Sequence, residues 1–149
     1  PLLGRPGPGD PDATGIAAVA TVAMAAVDRG DLHAAAESFI DYWMGAGSWA
    51  AMPEARRGPV AASMRPIAQW TEALFAQPWQ LPALAALPMP VLLLGGALSP
   101  ASAHDVLPIL AAAMPQARLH LLPGLGHMAP VTHPQAVNPL ISAFLRSLA

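Results

Sequence analysis

The stretch LLPGLGHMAP, residues 121–130, decides the fold that we predict for this chain. Residues 119–122 form a short apolar run, and two glycines then open a pliable loop that carries His127. A second apolar run spans residues 91–94, and helical spacing fills residues 100–114 between the two runs. This order predicts two parallel strands joined by a right-handed crossover. Because ligands of open parallel sheets bind at the carboxyl ends of the strands, His127 stands where a general base would act.

The same residues resemble a known protein family. Gly124-Leu125-Gly126-His127 is similar to the G-x-G-H pattern that follows the last strand of the α/β-hydrolase fold. Residues 90–96, PVLLLGG, resemble the penultimate strand of that fold, and residues 13–80 resemble its helical cap or lid. The resemblance implies an α/β class chain that forms the C-terminal portion of an α/β-hydrolase fold, with a lid followed by strand, helix, strand and helix.

Two parts of the family pattern are absent from the sequence. No G-x-S-x-G nucleophile elbow occurs, and the chain opens without an initiator Met in the Pro- and Gly-rich residues 1–11. We therefore expect the nucleophile in a missing N-terminal part and expect this fragment alone to be inactive. The family's acid often follows the penultimate strand, but Leu98 and Ser99 stand there. Asp105 is the nearest carboxylate, and its predicted place inside a helix favours solvation, so we favour an acid from the missing part.

The chain is predicted to have three regions. Residues 1–12 form a linker because prolines and glycines dominate them, residues 13–82 form the lid, and residues 83–149 form the C-terminal part of the core. Within the lid, one helix ends near residues 28–30 and Asp31 caps the next helix. The apolar face of that second helix is Leu32, Ala36, Phe39, Ile40, Trp43 and Met44, and Gly45 ends it.

The later helices are interrupted in the sequence pattern. Helical pattern covers residues 54–57 and resumes at Pro59, and Pro66 predicts a kink or a split. Residues 78–82 predict a rigid connector. In the core part, Ser99 is predicted to cap the helix after the first strand, although Pro108 interrupts that helix without explanation. Thr132 or His133 is predicted to cap the last helix, and the two helices should cover opposite faces of the strands.

Four apolar side chains are candidates for substrate binding. Trp43, Met44 and Trp70 lie on apolar faces of the lid, and Met128 follows the candidate base His127. A stripe of Met and Trp at helical spacing is also typical of plain core packing, so both interpretations stand. If these side chains bind a substrate, that substrate is expected to be small and hydrophobic.

Composition excludes several classes of function. The net charge is −2, and the seven Arg form no basic stripe and are accompanied by no Lys, which argues against a nucleic-acid partner. The absence of Cys excludes thiolate chemistry, and the five His have no metal-ligand spacing, so we expect no metal and no cofactor. The longest apolar run, residues 16–27, is too short to cross a membrane, so a soluble, cytoplasmic protein is expected.

These observations lead to two hypotheses of function. In the first, the chain belongs to a hydrolase in which His127 is the general base for a nucleophile from the missing N-terminal half. His133 is its only rival, and capping accounts for that residue more simply. In the second, the chain is a non-catalytic binding or interaction domain of the same fold, which the missing acid near Leu98 supports. A purely helical regulator is disfavoured by the strand pattern.

Overall fold

The computed structural model of the chain describes residues 13–67, 69–70 and 81–148. The chain divides into two compact units, one that ends at Pro78 and one that begins at Trp79. The described part is an α/β chain made mostly of helices, with a parallel sheet of two strands. The predicted linker of residues 1–12 and the first part of the connector, residues 78–80, lie outside the described residues. The lid and core roles of the two units stay predictions.

In the described part of the first unit, all elements of regular secondary structure are helices. Its helices are α1 (Ala13–Asp28), α2 (Leu32–Met44), α3 (Ser48–Ala51) and α4 (Glu54–Ala62), and residues 64–67 and 69–70 are helical as well. Asp31 caps α2 as predicted, because its carboxylate accepts a hydrogen bond from the backbone N–H of Ala34 at 3.0 Å. Gly45 ends α2 with a φ of 103°, a conformation that favours glycine.

Small and large side chains share the core of this unit. Ala26 of α1 and Ala35 and Ala36 of α2 are fully buried, which lets the two helices approach closely, and Trp49 and Met64 are buried in the same cluster. The predicted apolar face of α2 is confirmed for four residues that are buried or packed on this core: Leu32, Ala36, Phe39 and Ile40. The prediction is wrong for Met44, whose side chain is 42% exposed at the end of the helix.

The interruptions of the later helices differ from the prediction. α4 is continuous through Gly58 and Pro59, and the chain breaks instead at Ser63, ahead of Pro66. The break agrees with Pro66, because in a continuous helix its ring would clash with the carbonyl group of Ala62, where α4 ends. The predicted split is therefore present but lies on the N-terminal side of the proline. Residues 71–80 lie outside the described residues.

The second unit contains the predicted strand, helix and strand. Its elements are α5 (Leu81–Ala85), β1 (Val91–Gly96), α6 (Ala101–His104), α7 (Val106–Ala113), β2 (Ala117–Leu122), α8 (Ala129–Thr132) and α9 (Pro134–Arg146). β1 and β2 are parallel, with Val91 opposite Ala117 and Gly96 opposite Leu122. Residues 81 and 82, predicted as part of a rigid connector, begin helix α5 instead.

The crossover between the strands is two helices rather than one. α6 ends at His104, and Pro108 lies in the first turn of α7, where a backbone N–H has no partner within the helix. This break explains the proline that interrupts the sequence pattern. Ser99 is not the cap that we predict: Pro100 holds the cap position, and the N–H of Ser99 donates to the carbonyl oxygen of Gly96 in a turn.

The strands are less covered than predicted. α7 packs against both strands, whereas α9 contacts mainly α8. Among the described residues, the apolar run of β1 is consequently half-buried instead of buried on both faces. The expectation that the last helix covers the opposite face is therefore not met within this part of the chain. In the same part, no helix combines the length and apolar character that a membrane crossing requires.

Candidate active site at the carboxyl ends of the strands

The two strands end side by side, and the chain segments that leave them are joined by hydrogen bonds. The N–H of Ala97 donates to the carbonyl oxygen of Leu122 at 3.0 Å, and the N–H of Leu98 donates to the carbonyl oxygen of Leu125 at 2.8 Å. The segment after β1 is thus bonded to the loop that carries His127. The predicted position of the histidine loop, beyond the carboxyl ends of two parallel strands, is present in the structure.

His127 lies in the turn between β2 and α8. Gly124 begins the loop with a φ of 70°, and the buried Ala129 anchors its far end through a hydrogen bond from its N–H to the carbonyl oxygen of Gly126 at 3.1 Å. Met128 occupies the cap position of α8 and is half-buried. The candidate base and the candidate substrate contact of this unit are therefore neighbours in one anchored turn.

The electrostatic setting of His127 favours its neutral form. The side chain reaches solvent, but enough protein surrounds the ring that desolvation lowers its pKa below the ordinary value of 6.5. Since a general base must be unprotonated to accept a proton, this shift leaves His127 in the competent state at neutral pH.

Leu98, the position at which the sequence resemblance would place an acid, lies beside the histidine loop and is not a carboxylate. Leu98 is bonded to that loop through its backbone, and its side chain is 70% exposed. Asp105 lies at the junction of α6 and α7, where its Oδ1 is 2.8 Å from Nδ1 of His104. The carboxylate of Asp105 thus pairs with the adjacent histidine, which agrees with its assignment as a helix-surface group.

The other histidines have separate surroundings. Nδ1 of His133 lies 2.9 Å from Oγ1 of Thr132, and the ring of His133 does not cap α9, although the residue holds the cap position. The predicted cap position of the last helix at His133, followed by Pro134 in the first turn, is confirmed, but no hydrogen bond from the side chain of His133 caps the helix. His120 is exposed on β2, and His33 packs edge-on against Trp49 with ring centroids 5.7 Å apart.

The remaining candidate substrate contacts belong to the first unit. Trp43 is half-buried and packs edge-on against Phe39 and Tyr42, with centroid distances of 6.1 and 5.0 Å. Met44 follows it at the end of α2, and Trp70 is 67% exposed. Exposure of Met44 and Trp70 argues against the alternative that they are core residues. Their role in substrate binding stays a prediction.

Gly96 is a residue of this site that the sequence analysis does not single out. A Cβ atom at this position would come within 2.5 Å of the carbonyl oxygen of Gly126. The sequence feature that could have indicated this contact is a glycine at the end of an apolar strand, because such a glycine often marks the close approach of another backbone segment.

The described residues offer no cluster for a metal ion, since they contain no group of three or more His, Cys, Asp or Glu side chains in a suitable arrangement. The chain was also compared with known protein families, with curated proteins and with solved structures. None of the three comparisons finds a match.

Proposed function

We propose that this chain contributes the general-base histidine of a hydrolase of the α/β-hydrolase type. The observation that carries the proposal is the position of His127 in an anchored turn beyond the carboxyl ends of two parallel strands. The lowered pKa of His127 supports the same role because it keeps the imidazole neutral near pH 7.

The proposed reaction is nucleophilic catalysis by a hydroxyl group. His127 accepts the proton of a serine and later returns a proton to the leaving group. The sequence contains no nucleophile elbow, so the proposal requires the serine from another segment, an N-terminal half of the same fold. Trp43, Met44, Trp70 and Met128 would contact a small hydrophobic substrate, and the proposed location of the protein is the cytoplasm.

A second candidate function is a non-catalytic binding or interaction domain. Leu98 favours this alternative, because it occupies the position at which many α/β-hydrolases carry their acid and lies next to the histidine loop. An acid from another segment would be needed for the hydrolase mechanism.

Substitution of His127 in a complete protein that includes the nucleophile segment tests the proposal. Hydrolysis of short-chain p-nitrophenyl esters by His127→Ala is expected to fall by at least about 100-fold, since an unassisted serine hydroxyl is a poor nucleophile. His133→Ala is the matched control and should retain turnover. Melting temperatures of both variants should stay close to that of the parent protein.

Two results would contradict the hydrolase. Near-normal turnover of His127→Ala would exclude this residue as the base. Absence of both hydrolysis and a serine or aspartate elbow in the complete protein would favour the binding domain.

A further inference from the structure

The two glycines at the end of β1 face different neighbours. A Cβ atom on Gly95 would collide with Cδ1 of Leu107, a side chain of α7. A Cβ atom on Gly96 would collide with the backbone of the histidine loop, namely the carbonyl groups of Leu125 and Gly126. Successive residues of a strand point to opposite faces, so the histidine loop crosses the face that α7 leaves open.

The consequences of adding a methyl group differ at the two positions. The end of the Leu107 side chain can change its rotamer, so Gly95 tolerates a Cβ at the cost of local repacking. Backbone carbonyl groups of a loop cannot move aside independently, because Leu125 and Gly126 are tied to their neighbours by hydrogen bonds. Leu125 accepts from Leu98, and Gly126 accepts from Ala129, at 2.8 and 3.1 Å. A Cβ on Gly96 must therefore displace the loop as a whole.

We infer that Gly96 is a positioning residue for His127: its missing side chain lets the carbonyl groups of Leu125 and Gly126 lie directly on the end of β1. The effect of Gly96 on catalysis rests on the proposed function. Its effect on the position of the histidine loop rests only on the contacts described above. A base must be held within hydrogen-bond reach of the proton that it accepts, and a misplacement of about 1 Å can lower a rate by about 100-fold.

Titration of the histidine ring signals by NMR, in the full chain, tests the structural part. Gly96→Ala should shift the His127 signals and move the pKa of His127 upward towards 6.5, because a displaced loop exposes the ring to water. Gly95→Ala is the matched control, with the same added methyl group on the neighbouring residue, and should leave the His127 titration unchanged. His104, His120 and His133 serve as internal references in both variants.

The outcome of this titration is independent of any enzyme activity. An unchanged His127 titration in Gly96→Ala, or an equal change in Gly95→Ala, overturns the inference even if His127 is catalytic. If Gly96→Ala does not fold, Leu98→Pro decides the question, because it removes the N–H that holds Leu125 without adding an atom at position 96. The same upward change of the His127 pKa is expected there, and no change overturns the inference.

A second measurement connects Gly96 to the proposed reaction. In the complete enzyme, Gly96→Ala should lower kcat by about 100-fold with little change of KM, whereas Gly95→Ala should retain kcat. The two proposals can fail separately. If the parent protein does not hydrolyse the ester but Gly96→Ala displaces His127 in the NMR spectrum, the hydrolase function is refuted and the positioning role of Gly96 stands.

Discussion

A proline ends a helix at the residue four positions earlier in two places in this chain. Pro66 follows the end of α4 at Ala62, and Pro108 follows the end of α6 at His104. In an ideal helix the proline ring clashes with that carbonyl group and removes an N–H donor, which favours a helix end at both sites. Pro59 lies within α4, where the position four residues earlier belongs to the first turn. Pro139 lies within α9 in the same way, so a proline in the second turn of a helix is accommodated at both of these positions.

A prediction at the residue scale concerns Leu98, the position at which the proposed hydrolase function would place an acid. Leu98→Asp places a carboxylate beside the loop of His127, and the exposed side chain makes the substitution structurally mild. A negative charge stabilises the imidazolium form, so the pKa of His127 should rise, and the protonated form should persist to higher pH. NMR titration of the ring measures this change.

The control for Leu98→Asp is Met89→Asp. Met89 is also exposed and precedes β1, at the opposite end of a strand about 20 Å long, which exceeds the screening distance in physiological salt. Met89→Asp should therefore leave the pKa of His127 unchanged. If the two substitutions change the pKa of His127 equally, or if Leu98→Asp does not change it, then a charge at position 98 does not act specifically on His127.

At the scale of elements, the short helix α3 depends on side chains from its neighbours. The carboxylate of Asp41, on α2, accepts hydrogen bonds from the N–H groups of Gly47 and Trp49 at 2.9 and 2.8 Å. Arg57, on α4, donates to the carbonyl oxygens of Ala50 and Met52 at 2.6 and 2.9 Å. Helices of this length are unstable alone, so these contacts at both ends stabilise α3 and hold Trp49 in the core.

Removal of the Asp41 carboxylate tests the contribution of this contact. Asp41→Ala should lower the free energy of unfolding by about 1 to 2 kcal/mol, because two N–H groups lose a charged acceptor. Glu37→Ala removes an equal charge from an exposed position of the same helix and should change the free energy of unfolding by less than about 0.5 kcal/mol. Denaturant titrations measure both values. Equal losses would assign the effect to charge rather than to capping.

At the scale of the whole molecule, the described residues leave much apolar surface uncovered. In α9, Val137 is buried, whereas Ile141 and Leu145 are exposed. β1 is likewise an uncharged apolar strand that is half-buried. Exposed apolar surface of this kind favours association with another protein surface.

The 149-residue chain alone is therefore expected to self-associate as its concentration rises. Leu145→Glu, at a position 58% exposed, should shift sedimentation towards the monomer because a charge opposes burial of this face. Val22→Glu, at a position 56% exposed on α1, should have little effect. A parent chain that is monomeric at all concentrations would contradict the prediction.

The amino-acid sequence alone determined the features that depend on neighbouring residues along the chain. The spacing of apolar residues and the residues that end helices are local properties of the sequence. They predicted the two strands, the boundaries of α1 and α2, the Asp31 cap and the position of the His127 loop. Tertiary structure alone decided which groups meet across the chain. The contact of Gly96 with the histidine loop and the incomplete cover of β1 depend on distances between residues far apart in sequence, which no local pattern encodes. The support of α3 by Asp41 and Arg57 joins residues five to eight positions apart, but it requires the turns between three helices to bring these side chains to the ends of α3.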